Sequence, residues 1–166
     1  MKKTLIKDIA TVGLMVAFIE AAKFTFAGIP NVELTSFLII MFALYFGRHI
    51  YFAIPVFIVI EGAVYGFGLW WLMYLYTWPL LVVLVKLFGK KLTNFGLAML
   101  SGAFGLCFGA MCALPYIFIG GLKGAFLYWV AGIPFDVVHG VANFVVMMLL
   151  YKPVSAVMKR VSGNWQ

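Results

Sequence analysis

The chain has 166 residues, 66% of them hydrophobic and 10% charged, with a mean hydropathy of +1.11, whereas a soluble domain is about 45–50% apolar and about 25% charged. Too little polar surface is present to coat a globule in water, and about six helices of roughly 20 apolar residues each would use most of the chain, excluding a nucleotide-binding or soluble catalytic domain. The formal charge of +7 comes from basic residues scattered at helix ends, not from a run with interleaved polar residues, which favours membrane topology over nucleic acid.

Met1-Lys2-Lys3 and the apolar run after it have the outline of a signal peptide. The run continues to Ala27 and carries Glu20 and Lys23 where a cleavage region would lie, so it is read as a retained first helix over Ile9–Ala27. On it Gly13, Ala17 and Ala21 repeat every four residues, a small-residue ridge that permits close helix approach, either inside the bundle or against another membrane subunit. Glu20 and Lys23, three residues apart, can pair locally. The turn Gly28-Ile29-Pro30-Asn31-Val32-Glu33 leads into a short segment, Leu34–Phe46, which needs burial among its neighbours or local bilayer thinning to compensate for its length.

The third segment, Ile50–Tyr65, holds Glu61 four residues before Tyr65, on the same helix face. After Gly66-Phe67-Gly68, the fourth segment, Leu69–Leu87, opens with Trp70, Trp71, Tyr74, Tyr76 and Trp78. The fifth, Phe95–Ile119, repeats Gly105, Gly109 and Ala113 every four residues; Cys107 and Cys112 within it lack metal-ligand spacing and are read as packing residues. Gly120-Gly121-Leu122-Lys123-Gly124 is the expected loop before the sixth segment, Ala125–Tyr151. There Trp129, Asp136, His139 and Asn143 recur at spacings of seven, three and four, one polar stripe expected to face the bundle interior as a hydrogen-bond network or on a ligand.

The predicted fold is an all-α, six-helix membrane bundle, a single domain over residues 1–166. Cytoplasmic loops carry excess Lys and Arg. With the N-terminus inside, Lys2, Lys3, Lys7, Arg48, Lys86, Lys90, Lys91, Lys152, Lys159 and Arg160 fall on the inner side and only Lys23 and Lys123 on the outer. Ten against two places both termini in the cytoplasm, and the aromatic excess, together with Tyr116 and Tyr128, falls toward outer helix ends. Interfacial belts account for part of that excess; an outward aromatic cavity accounts for the remainder.

Ionisable groups at membrane depth cost about 2.5–3.5 kcal/mol each on insertion scales unless paired or hydrated, which singles out Glu20, Glu61, Asp136 and His139. No phosphate-loop motif and no Asn-x-Ser/Thr sequon occur, and Ser101 lacks a nucleophile-elbow context.

The Ala17-x-x-x-Ala21 pair, the loop Pro30-Asn31-Val32-Glu33, the turn Phe46-Gly47-Arg48 and six helices with cytoplasmic ends together resemble the substrate-binding S components of energy-coupling factor (ECF) vitamin transporters. The resemblance covers essentially the whole chain. It implies a multi-pass subunit of the bacterial cell membrane that captures a vitamin from outside and topples against the coupling subunit EcfT, driven by two ATPases, with no enzymatic activity and no intrinsic cofactor or metal of its own. It also implies that Gly13, Ala17 and Ala21 dock on EcfT. The stretches 61–71, 74–78 and 129–136 look most like the cobalamin-specific group, with riboflavin, a pyrimidine precursor or pantothenate left open. The expected ligand-binding residues are Asn31, Glu33, Glu61, Tyr65, Trp70, Trp71, Tyr74, Trp78, Trp129 and Asp136. A stand-alone secondary transporter or channel, using Glu61, Asp136 and His139, and an intramembrane enzyme using Ser101 or His139, are the rival readings.

Overall fold

A computed structural model describes residues 2–26, 28–29 and 31–162. Met1, Ala27, Pro30 and the side chains of Lys2 and Lys3, on which parts of the sequence reading rest, lie outside the described residues. Within them the chain is 90% helix with no strand. Helices α1 (Lys2–Phe26), α2 (Thr35–Tyr45), α3 (Ile50–Tyr65), α4 (Leu69–Phe88), α5 (Asn94–Leu106), α6 (Phe108–Cys112) and α7 (Tyr116–Ser162) follow in order, with single 3₁₀ turns at Gly47–His49 and Gly89–Lys91. Four segments are long and apolar enough to cross a membrane, namely Leu5–Phe26, Gly47–Tyr65, Leu69–Lys91 and Tyr116–Ser162, while α2 and α5 are apolar but shorter.

The short α2 sits at the centre. Thr35, Ser36, Phe37 and all of Ile39–Ala43 are buried, packed with Met15, Val16 and Ile19 of α1, Phe57 of α3 and Leu81 of α4 in one core. A helix of 11 residues spans only about 16 Å at 1.5 Å per residue, and burial among its neighbours is the compensation that its shortness requires. The buried hydroxyls of Thr11 and Thr77 donate within their own helices to the carbonyls of Lys7 and Met73 at 2.8 and 2.9 Å, whereas those of Ser36 and Ser101 have no partner among the described residues.

The fifth and sixth predicted segments are partitioned differently. The stretch expected to run unbroken to Ile119 ends at Leu106, resumes for the five residues of α6 and stops at Cys112. Pro115, which has no N–H to donate, immediately precedes α7, where its fixed φ suits a helix start. The expected loop at Gly120–Gly124 is instead inside α7, and Gly121 alone departs from helical geometry, at φ 65° and ψ −170°. Five loop-like residues thus make a kink, because apolar neighbours continue the helix on both sides and only glycine adopts that backbone cheaply.

The turns gather at two ends of the bundle. At the Arg48 end, Asp8 accepts from Arg48 at 2.9 Å and lies 2.8 Å from His49 Nε2, and Lys86 donates to the carbonyls of Ala43 and Gly47 at 2.6 and 2.9 Å. These contacts tie α1, α4 and the turn between α2 and α3 together.

Backbones approach most closely where α5 crosses α7. A Cβ on Gly105 would stand 2.9 Å from the backbone of His139 and Gly140, and one on Gly140 would stand 2.9 Å from the Gly102 carbonyl. Both faces must therefore lack side chains. The ridge on α1 differs, since Gly13, Ala17 and Ala21 are all exposed and nothing lies within 4 Å of a Cβ built on Gly13. Gly105→Val is expected to lower stability by about 1–3 kcal/mol through overpacking against backbone, whereas Gly13→Ala leaves it unchanged or raises it by up to about 1 kcal/mol through helix propensity. Thermal unfolding of the purified chain in detergent measures both.

Candidate functional site

The Asn31 end carries the polar and aromatic residues. On α4, Trp70, Tyr74 and Trp78 recur every four residues and so share one face. Their rings meet edge to face, with centroids 5.3 Å apart for Trp70–Tyr74 and 5.4 Å for Tyr74–Trp78. Phe108 of α6 continues the wall, 5.6 Å from Trp78 and 5.1 Å from the His139 ring of α7.

Two cavities adjoin at this wall, sharing Asn31 and Phe108. The first, about 260 Å³, lies among Lys23 and Phe26 of α1, the turn residues Ile29, Asn31, Val32 and Glu33, and Thr35, Tyr74, Trp78, Phe108 and His139. The second, about 510 Å³, lies between α6 and α7 among Gly109, Cys112, Tyr128, Ala131, Gly132, Phe135 and Asp136. Asn31 holds a left-handed backbone, φ 60°, a conformation asparagine tolerates better than most residues; it turns the α1–α2 connection between the two cavities.

Three polar contacts fix the walls. The Lys23 ammonium pairs with Glu61, which is 1% exposed, and lies 5.7, 5.6 and 5.2 Å from the ring centroids of Phe57, Tyr65 and Tyr74. Such a cage of aromatic faces lowers the cost of a desolvated cation. Glu33 accepts from the Ser36 backbone N–H at 2.9 Å and stands 3.2 Å from His139 Nε2, tying the α1–α2 turn to α7. Burial works against its ionised form, but the bonds from His139 and Ser36 prevail and hold the carboxyl below the ordinary glutamate value. Gly109 N–H donates to Asp136 Oδ1 at 2.8 Å, joining α6 to α7.

The structure brings Asn31, Glu33, Tyr74, Trp78 and Asp136 to the cavity walls and leaves the other expected residues behind or beside them. Glu61 is buried beneath Lys23. Trp70 backs Tyr74, and Tyr65 is half exposed beside Phe24. Trp71 donates its indole N–H to the Ile58 carbonyl at 2.8 Å and packs on Phe67.

Two expectations need correction. Glu20 is not the partner of Lys23, which reaches across to α3 instead; one Glu20 oxygen is buried with no partner among the described residues. In the polar stripe of α7, Asp136, His139 and Asn143 are buried, but Trp129 is 38% exposed and packs on Phe126. The α7 residues that line the cavity are Tyr128, Ala131, Gly132, Phe135 and Asp136, and Trp129 is not among them.

Residues that composition and spacing did not single out as ligand-lining are Lys23, Phe108, Gly109, Tyr128 and Phe135. The last two were legible in principle, because 128, 132, 135 and 136 follow the three-and-four spacing of one helix face. Phe108 and Gly109 were not, because their placement depends on the break after α5. Ser101 makes no hydrogen bond among the described residues, and His139 is engaged with Glu33 rather than with it. No group of three His, Cys, Asp or Glu residues suited to a metal occurs among the described residues. A third concavity, about 520 Å³, lies at the Arg48 end between α1 and α3; its polar members, Asp8, Arg48 and His49, satisfy one another.

Lys23→Met is expected to destabilise the chain by about 3–5 kcal/mol, because it strands the buried Glu61 charge, and Lys23→Met combined with Glu61→Leu recovers most of that loss. Thermal unfolding of the two variants beside the parent measures it, and equal loss in single and double variants would refute the pairing. Comparison of the chain with protein-family models, with curated proteins and with solved structures finds no match.

Proposed function

We propose that this chain is the substrate-binding S component of an ECF-type importer in a bacterial cell membrane. It captures a vitamin from outside and delivers it through EcfT and two ATPases, which hydrolyse the ATP. In this reading all six segments cross the bilayer, both termini are cytoplasmic, and cobalamin is the first ligand to test, with riboflavin, a pyrimidine precursor and pantothenate beside it. The observation that carries the reading is the pair of adjoining cavities, about 260 and 510 Å³, at the end of the bundle opposite Arg48, Lys86 and Lys90. Small-molecule pockets are about 300–1,000 Å³, mostly apolar, with a few placed polar groups. A corrin would need both cavities joined, which requires the α1–α2 turn around Asn31 to move. The exposed ridge Gly13, Ala17 and Ala21 offers a flat helix face to EcfT, and the motifs of the first helix, the turn before α2 and Phe46-Gly47-Arg48 supply the family resemblance.

One further observation favours a second reading. Glu20 and Glu61 sit with Lys23 in spanning-length helices, and buried ionisable groups of this kind mark ion or proton pathways in stand-alone transporters. Uptake by the single purified chain in liposomes along an ion gradient would support that reading against the first.

Expression beside candidate ECF modules should recover EcfT and both ATPases with the chain. Ala17→Trp is expected to abolish that recovery while ligand affinity, measured by calorimetry in detergent, is unchanged. Tyr74→Ala is expected to weaken binding about ten-fold or more, about 1.4 kcal/mol, whereas Trp129→Ala, off the cavity walls, leaves it within two-fold. Loss of affinity in Trp129→Ala alone would move the site elsewhere. Sidedness is checked by single cysteines replacing Phe67 or Lys90 in a cysteine-free background: an impermeant thiol reagent on intact cells should label position 67 and spare position 90.

A further inference from the structure

We infer that the ligand of the two adjoining cavities is neutral overall or cationic and presents an N–H donor to Asp136, so that the site rejects ligands of net negative charge. The inference rests on the cavities being the capture site proposed above.

Asp136 is 7% exposed and lines the larger cavity. Its Oδ1 accepts from Gly109 N–H at 2.8 Å, while its Oδ2 has no partner among the described residues. A buried carboxylate oxygen without a donor is costly, and an arriving N–H would remove that cost. The carboxylate is seated where it is because residue 109 lacks a side chain, since a Cβ there would stand 2.4 Å from Oδ2.

The charge inventory points the same way. Of the basic side chains lining the cavities, Lys23 is paired with Glu61, and His139 stands against Glu33. An incoming anion would meet Glu33 and Asp136 with no uncommitted cation to replace its water, a repulsive arrangement that acts as selection against it. An amine, a protonated heterocycle or an amide edge would instead find Asp136 in a lining that includes the aromatic rings of Phe108, Tyr128 and Phe135, residues that suit planar or cationic groups.

The full chain in lipid nanodiscs is titrated calorimetrically with thiamine (cationic), riboflavin (neutral, N–H bearing), cyanocobalamin (N–H bearing, and neutral overall because the cobalt–corrin balances its phosphodiester) and pantothenate (anionic). The series is repeated on Asp136→Asn, which keeps an acceptor for Gly109, and on Gly109→Ala, which displaces the carboxylate. The expected result is a tightest probe from the first three, weakened ten-fold or more in both variants, with pantothenate silent. Tightest binding by pantothenate, or a tightest probe whose affinity stays within two-fold in both variants, overturns the inference and leaves the capture role standing. Absence of binding by every probe at millimolar concentration sinks the capture reading and the inference together. Should either variant fail to fold, judged by size-exclusion elution and melting temperature, the ranking of probes on the parent chain still decides.

Discussion

The buried pair between Lys23 and Glu61 is the constraint on which the Asn31 end of the molecule depends. A carboxylate at 1% exposure in an apolar bundle is sustained only by a partner held in place, and that partner comes from α1. The pair fixes the register of α1 against α3. Once fixed, the Lys23 ammonium lies among Phe57, Tyr65 and Tyr74, so α4 is located by the same charge. Of the aromatic ladder, Tyr74 and Trp78 then form a wall of the smaller cavity, with Trp70 packed against Tyr74.

The larger cavity depends on a different device, the glycine crossing of α5 and α7. Because Gly102, Gly105 and Gly140 carry no side chains, the two backbones close to contact distance at one level. Beyond that level α5 ends, the chain breaks at Cys107 and α6 turns Gly109 toward Asp136. The space left between α6 and α7 is the cavity. Close packing below and an opening above therefore come from the same pair of elements. The Glu33–His139 contact joins this half to the α1–α2 turn, so that any motion of the turn which admits a large ligand must part from α7.

Much of the architecture could be read without coordinates. Periods of apolar residues between charges and glycines give α2 to α4 nearly to their ends, since a long apolar run cut by Gly66-Phe67-Gly68 or Gly47-Arg48 has few other ways to fold in lipid, whereas α1 begins at Lys2 rather than Ile9 because the helix continues through the polar residues before its apolar run. The stripe of Asp136, His139 and Asn143 was legible for the same reason, as polar groups three and four apart share a helix face. The partition of the last third was not legible, because helices that stop at Leu106 and Cys112 and one that continues through Gly120 and Gly121 are separated by packing rather than by local propensity. Glycine in a largely apolar helical chain marks a loop, a kink or a crossing, and Gly66, Gly121 and Gly105 illustrate the three in turn.

The sequence by itself determined the solvent this chain is built for, its all-helical class, the low polarity of its helices and the bias of its basic residues, because each follows from composition and from spacing along a single helix. Tertiary structure decided which partner each buried charge takes, that Tyr128 and Phe135 line the larger cavity while Trp129 does not, and that Asp136 keeps one oxygen without a partner among the described residues. Those outcomes depend on the rotation of each helix about its own axis, and that rotation is set by contacts between residues distant in the chain, which no local pattern contains.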